Sequence, residues 1–392
     1  MGPLDGITVL DLTRVLSGPY CTMLLGDMGA RVVKVEQPGK GDDTRAWGPP
    51  FVHGESAYFM SINRNKESVT LDFKRPEGRA LLERLVAGAD VLVENFRPGT
   101  LTKLGFDYAT LAHTHPRLVY CSVSGFGQTG PRAKEPGYDA VIQAEGGLMS
   151  ITGPADGPPY RLGVAIADIV SGMFAAYGVA MALFARERTG RGQQVDLAML
   201  DAVTALLTYQ AGNFFATGTP PGRLGNRHPS IVPYEVFAAS DGDFVLAVGN
   251  DALWKIFCEV AGLAPDDRFA TNRQRVRGYD EIRPIVARAL AAHPRAYWIE
   301  RLTAAGVPCG SVRDLGDVFG DAQLAARDMI VSMEHAAAGL VRLLGVPVKL
   351  SETAGGVRTP PPTLGQHTDA VLGGDLGLSA DAIAKLRQQN VI

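Results

Sequence analysis

An α/β protein, with one large domain built on a mainly parallel sheet and a second, smaller mixed domain, is what this chain predicts. Three observations lead there. Short apolar strands alternate with helices through the first third, a proline- and glycine-rich stretch interrupts the chain at 217–230, and a strand-turn-strand pattern followed by helices comes after it. The first strand is read at 7–12, where Ile7, Val9, Leu10 and Leu12 are apolar, and a helix follows at 20–28. The next strand, 31–36, carries three valines. A strand at 69–71 precedes a helix at 76–87 that opens on Pro76, a residue suited to the first helical position. Val91-Leu-Val-Glu94 reads as a further buried strand. Such a sheet binds ligands beyond the carboxyl ends of its strands. The turn after the first strand, Thr13-Arg14-Val15-Leu16-Ser17-Gly18-Pro19, lacks the three-glycine fingerprint of dinucleotide binders, which argues against a nicotinamide dehydrogenase.

Residues 164–185 form a long apolar run whose one charged residue is Asp168. The run has the length of a membrane span, but its apolar positions are largely Ala and Gly and no second span accompanies it, so a buried helix of a soluble protein is the better reading. A carboxylate in such surroundings needs hydrogen bonds, a cation or a function to offset its desolvation. From the segment alone two readings stand: an aspartate capping the free N–H groups of a helix start, or a nucleophile or base held ionised by those same donors.

The large domain is taken as residues 1–216, completed by 326–392, with 217–230 as a linker and 231–325 as the small domain. Within the latter, 231–239 and 244–248 flank Ser240-Asp-Gly-Asp243 as a hairpin. Helices follow at 252–260, closed by Gly262, at 280–291 and at 297–304. The proline-rich segment 359–368 precedes a last helix at 380–388.

A 392-residue chain with 46% hydrophobic and 20% charged residues buries a large core, and a net charge of −3 offers no general attraction to nucleic acid or anionic membrane. Cys21, Cys121, Cys258 and Cys309 form no Cys-x-x-Cys pair, so neither a zinc ribbon nor a disulfide framework is expected, and no pair of histidines has the spacing of a metal helix. The start of the chain lacks a secretory pattern; a reducing, cytoplasmic setting is the expectation. No Gly-x-Ser-x-Gly elbow supports a serine hydrolase. The basic residues Lys74, Arg75, Arg97 and Lys103 follow predicted strands, and Phe96 beside Arg97 offers stacking together with charge, as a phosphate-bearing ligand would use.

The order of motifs resembles the class III CoA-transferases, the family that includes formyl-CoA and carnitine CoA-transferases and related racemases. The carriers are Leu4-Asp-Gly-Ile-x-Val-Leu-Asp-Leu-Thr13, Gly26-Asp-Met-Gly-Ala-Arg-Val-Val-Lys-Val-Glu36, Asn65-Lys66 with Leu71-Asp-Phe-Lys74, Val93-Glu-Asn-Phe-Arg-Pro-Gly99, Pro136-Gly-Tyr-Asp139 and Thr189-Gly-Arg-Gly-Gln193. The resemblance implies a Rossmann-like large domain with a parallel sheet plus a smaller mixed α/β domain, in an interlocked homodimer.

It also implies that Asp168 is the nucleophile, passing through an aspartyl mixed anhydride and an aspartyl-CoA thioester. No permanently bound cofactor is implied; coenzyme A and acyl-CoA enter as substrates. CoA contacts fall by resemblance on Val15, Leu71, Lys74, Asn95, Phe96, Arg97, Lys103 and Tyr138. The family's glycine loop is reduced here to Val248-Gly249-Asn250, and Gln37 stands where arginine is common. Burial must leave Asp168 ionisable, and neighbouring N–H donors are expected to see to that. The segment from Arg223 to His228 looks most like transferases acting on dicarboxylates such as succinate, glutarate or hydroxymethylglutarate. Arg223, Arg227 or His228 then meets the second carboxylate, or else pins the linker. Two alternatives are an acyl-CoA racemase, whose histidine-aspartate pair is Tyr138-Asp139 here, and a non-catalytic CoA-binding protein.

Overall fold

The computed structural model describes residues 1–392, and the chain divides into two compact units. The first comprises residues 1–148, 161–216 and 322–392; the second comprises 149–160 and 217–321. Residues 149–160, which the sequence reading kept with the large domain, group with the second unit. Their carbonyls explain it: those of Pro154 and Gly157 accept from the Arg223 guanidinium, and that of Gly153 accepts from the Gly225 N–H.

The first unit is built on six strands, β1 (Thr8–Asp11), β2 (Arg31–Glu36), β3 (Lys66–Thr70), β4 (Val91–Glu94), β5 (Val119–Ser124) and β6 (Gln194–Ala198). They lie in the order β3-β2-β1-β4-β5-β6, every pair parallel. The order reverses between β1 and β4, so the loops that follow these two strands diverge and leave a crevice at their carboxyl ends. Strands covered on both faces read as continuous apolar runs, which is why β1, β2 and β4 were visible in the sequence. On one face Leu10, Val33, Val69 and Leu92 pack with Leu82 and Leu85 of a helix at Pro76–Ala87. On the other, Val9, Val32, Val91 and Val119 pack beneath α1 (Ser17–Asp27) and, further along the chain, the long Ile166–Thr189 helix.

The 164–185 run is thus helical over Ile166–Thr189. Ala167, Val170, Ala175, Val179 and Leu183 of that helix enter the core, while Met173, Tyr177, Met181 and Phe184 stay exposed on its outer side. The C-terminal segment lies on the first unit: Asn65 accepts the N–H groups of Arg358 and Thr359, and the Val391 side chain is buried.

In the second unit Tyr234–Ala239, Gly242–Ala247 and Cys309–Ser311 form an antiparallel sheet, the first two as a hairpin paired Gly242 to Ala239. Helices Asp251–Ala261, Tyr279–Leu290 and Arg295–Ala304 cover it around Phe244, Phe257, Trp298 and Leu302. Gly262 closes the first of them at φ +66°, a conformation that favours glycine.

Candidate active site

Two cavities open at the crevice of the first unit. One, of about 150 Å³, is lined by Val15 and Ser17 after β1, Asn95 to Arg97 after β4, Ser124 and Gly125 at the end of β5, Tyr138, and Asp168. The other, of about 140 Å³, is lined by Leu71, Lys74, Gln37 and Lys40; Arg14 and Phe96 border both. The two loops at the switch point are laced together, since the Arg14 N–H donates to Asn95 Oδ1 at 2.9 Å and Asn95 Nδ2 donates to the Arg14 carbonyl at 2.7 Å.

Two glycines let the walls close on each other. A Cβ on Gly137 would stand 2.7 Å from the Cα of Gly125, so the Pro136-Gly-Tyr-Asp139 loop crosses the end of β5 backbone to backbone. A Cβ on Gly172 would stand 2.7 Å from the carbonyl of Ser17, which lets the start of α1 press against the first turns of the long helix.

Asp168 lies in that first turn and is 8% exposed. Its carboxyl is pushed up to about 7, first by burial and then by the nearby Asp139 carboxylate, while the neighbouring Ser17 hydroxyl pulls it partway back. The expectation that backbone donors at the helix start hold Asp168 ionised is not met. The Ala167 N–H donates instead to Asp139 Oδ1 at 2.9 Å; Asp139 Oδ2 accepts from Gln143 Nε2 at 2.7 Å, and Gln143 Oε1 accepts from the Leu162 N–H. Asp139 therefore fixes the entry of the helix, and Asp168 keeps the basicity that burial confers. Tyr58 completes this corner. Burial and the Asp168 and Asp139 charges raise its phenol to about 12, so it stays neutral beside the carboxylates.

Of the residues singled out in the sequence, Val15, Asn95, Phe96, Arg97 and Tyr138 share the cavity of Asp168, and Leu71 and Lys74 line its neighbour. Lys103 lies exposed on the short turn Thr102–Leu104 and lines neither. Gly249, Asn250, Arg223 and His228 belong to the second unit. Asn250 caps the helix that follows it by accepting from Leu253 at 2.9 Å, and Gly249 is exposed. Arg223 pins 154–157, and His228 Nδ1 accepts from the Ser230 N–H at 3.0 Å with its ring beside Tyr234. Sequence reasoning assigned no role to Arg14, Ser17, Lys40 or Tyr58, and met Asp139 only in the racemase alternative. Their position directly after predicted strands was a signal for the first three; nothing local marked Tyr58.

The comparisons bear on what such a site does. The family model described as CoA-transferase family III matches residues 4–368. The chain is 43% identical to the succinyl-CoA:glutarate CoA-transferase of Mus musculus, covering 100% of this chain and 91% of that protein. It is 46% identical to the acetyl-CoA:oxalate CoA-transferase of Acetobacter aceti over 89% of this chain and 90% of the relative. A solved CAIB/BAIF family protein from Brucella suis superposes with a TM-score of 0.85 at 41% identity, covering 95% of this chain and 99% of that one. With that match running nearly end to end, the chain belongs to CoA-transferase family III.

Proposed function

We propose that the protein moves CoA from an acyl-CoA to a free dicarboxylic acid, with Asp168 as the covalent relay. The observation that carries this reading is a buried, basic carboxylate on the wall of the crevice, beside a cationic rim. Asp168 attacks the thioester carbonyl, and the tetrahedral oxyanion collapses with loss of CoA thiolate to a mixed anhydride. The thiolate then attacks the aspartyl carbonyl, the donor acid leaves as its carboxylate, and an aspartyl-CoA thioester remains. The acceptor carboxylate repeats the two steps in reverse order, regenerating the Asp168 carboxylate. Water takes no part, so the buried wall around Asp168 also protects the anhydride from hydrolysis.

The rim suits coenzyme A. Arg14, Lys40, Lys74 and Arg97 stand around the two cavities, with the half-exposed Asp43 as counterion to the first two, and Arg14 and Lys40 stand near the place where Gln37 offers no charge. Phe96, edge-on to Phe73 at 6.2 Å with Arg14 5.4 Å from its centroid, gives the apolar part of the ligand a wall. The dicarboxylate reading is supported by relatives named for glutarate and oxalate.

Because the carboxylate must be ionised to attack, kcat/KM is expected to rise with pH along an acid limb centred near 7. Ser17→Ala removes the hydroxyl that favours the ionised form, and moves that limb up by about one unit. Initial rates between pH 5 and 9 check both statements. A limb centred at 4 to 5 in the unmodified enzyme contradicts them.

A homodimer, interlocked as in the family, belongs to the same proposal. Met173, Tyr177, Met181 and Phe184 form an exposed apolar stripe along the long helix, and Phe214 and Phe215 are exposed as well. A second copy of the chain is the partner this stripe fits. Sedimentation at twice the 41.6 kDa chain mass is the expected result, lost or weakened in M181D/F184D. A monomer at micromolar concentration overturns the assignment.

A further inference from the structure

Val15 is a β-branched residue at φ +69°, in the left-handed region that such side chains rarely adopt, and it borders the cavity of Asp168. A conformation of this kind persists only where its surroundings over-determine it. Here they do so with side chains from three separate segments. Lys34 Nζ donates to the Thr13 carbonyl at 2.8 Å, Asn95 holds both polar groups of the Arg14 backbone, and Asp42 Oδ1 accepts from the Val15 N–H at 3.2 Å. Lys34 and Asp42 are joined to each other at 2.9 Å, and both side chains are fully buried. Asp42 is itself seated by the N–H and hydroxyl of Thr44, at 3.0 and 2.9 Å. The buried Lys66–Asp11 pair holds the same turn at Thr13 and Pro19, whereas Lys34–Asp42 reaches the strained Val15 itself.

We propose that the Lys34–Asp42 pair is a positioning couple for the nucleophile. It clamps residues 13–15 in the strained path that places Ser17, two residues on, in the wall of the cavity that Asp168 lines. Neither member lines the cavity of Asp168, so neither is a catalytic residue in its own right; they act through Val15 and Ser17. The inference rests on the proposed role of Asp168, because only then does the placement of Ser17 govern turnover.

Its test replaces both charges together, K34M/D42N, since removing one alone leaves an uncompensated buried ion. Without the clamp the turn relaxes out of the left-handed region, and kcat falls about ten-fold. The acid limb of the rate profile moves upward as in Ser17→Ala, because Ser17 no longer reaches the carboxylate. Adding Val15→Gly to that variant makes the left-handed conformation accessible again and recovers most of the lost kcat. A purely structural pair lowers the melting temperature, leaves kcat and the acid limb in place, and shows no response to the glycine; that result overturns the proposal.

A second measurement does not depend on how the variants fold. In the unmodified protein the Val15 amide exchanges with solvent deuterium only as slowly as the β1 amides, and exchange at the rate of an open loop overturns the clamp. Asp168→Asn is assayed beside these. Activity retained there removes the nucleophile, whereas unchanged kcat and limb in K34M/D42N remove only the clamp.

Discussion

Asp168→Asn is expected to abolish CoA transfer, with a fall in kcat of about 10⁴-fold or more, while binding of free CoA stays within a few-fold of the unmodified protein. The magnitude follows from the type of role. A residue that forms the covalent intermediate cannot be partly replaced by its neighbours, and single removals of this kind cost as much as removing the whole set. Asp139 and Tyr58 are close, but Asp139 is occupied by Ala167 and Gln143 and the phenol is neutral. Exchange of labelled succinate into succinyl-CoA measures the activity, and calorimetry with CoA measures the binding. Quenching the unmodified enzyme mid-turnover with hydroxylamine should place a hydroxamate on Asp168, and the variant should show none. Transfer retained at even a hundredth of the original rate removes the covalent role.

The same substitution has a stability consequence of opposite sign. Burial holds the Asp168 carboxyl near 7 in the folded chain against 3.8 for the ordinary group. The folded state thus binds this proton more tightly, and the carboxyl costs nothing below the unfolded value. Its penalty grows as pH rises through the window from about 4 to 7, reaching on the order of 4 kcal/mol above it. Asparagine carries no such penalty. The variant should therefore melt higher than the parent at pH 8, with the gap narrowing as pH falls to 5.

How far the sequence revealed this site depends on how local each determinant is. β2 and the Pro76–Ala87 helix were read with the bounds they have, because their apolar spacing and opening proline lie within a single segment. β3 was read only from residue 69, although it begins at Lys66. A buried ammonium that bonds to Asp11, Pro19 and Asn63 looks like a surface charge to any periodicity argument. The edge strand β6 alternates between exposed and half-buried positions and gave no apolar run. Asp168 was visible for the opposite reason, as a charge in the wrong place. Its electrostatics were not: which carboxylate receives the helix-start N–H is decided by Gly137 against Gly125 and Gly172 against Ser17, contacts between residues far apart in the chain. Lys103 was included as a basic residue in a loop after a predicted strand and by resemblance; in the structure it stands on an exposed turn and lines neither cavity.

Asp11→Ala is expected to be the most damaging change outside Asp168, lowering the stability of the first unit by about 3–5 kcal/mol. Asp11 is fully buried at the end of β1 and accepts from the Thr13 N–H at 2.8 Å, the Thr22 hydroxyl at 2.6 Å and Lys66 Nζ at 3.1 Å. These partners, with Lys34 nearby, hold its carboxyl far below the usual range. Around it Glu36 and Asp42 face Lys34 and Arg45. Alanine leaves the Lys66 ammonium without its counterion in a place water does not reach. Burial already depresses Lys66 to about 8, below its ordinary 10.5, and the loss of Asp11 depresses it further. A depressed lysine destabilises the fold while it stays protonated and is relieved as pH rises, so the deficit of the variant should be smaller at pH 9 than at pH 6. D11N/K66M, which removes both charges, should recover most of the loss. Urea unfolding followed by tryptophan fluorescence and by circular dichroism measures all three proteins. A deficit below about 1 kcal/mol in Asp11→Ala, or one that grows with pH, contradicts the assignment of Asp11 as the counterion that keeps Lys66 and the turn at Thr13 in place.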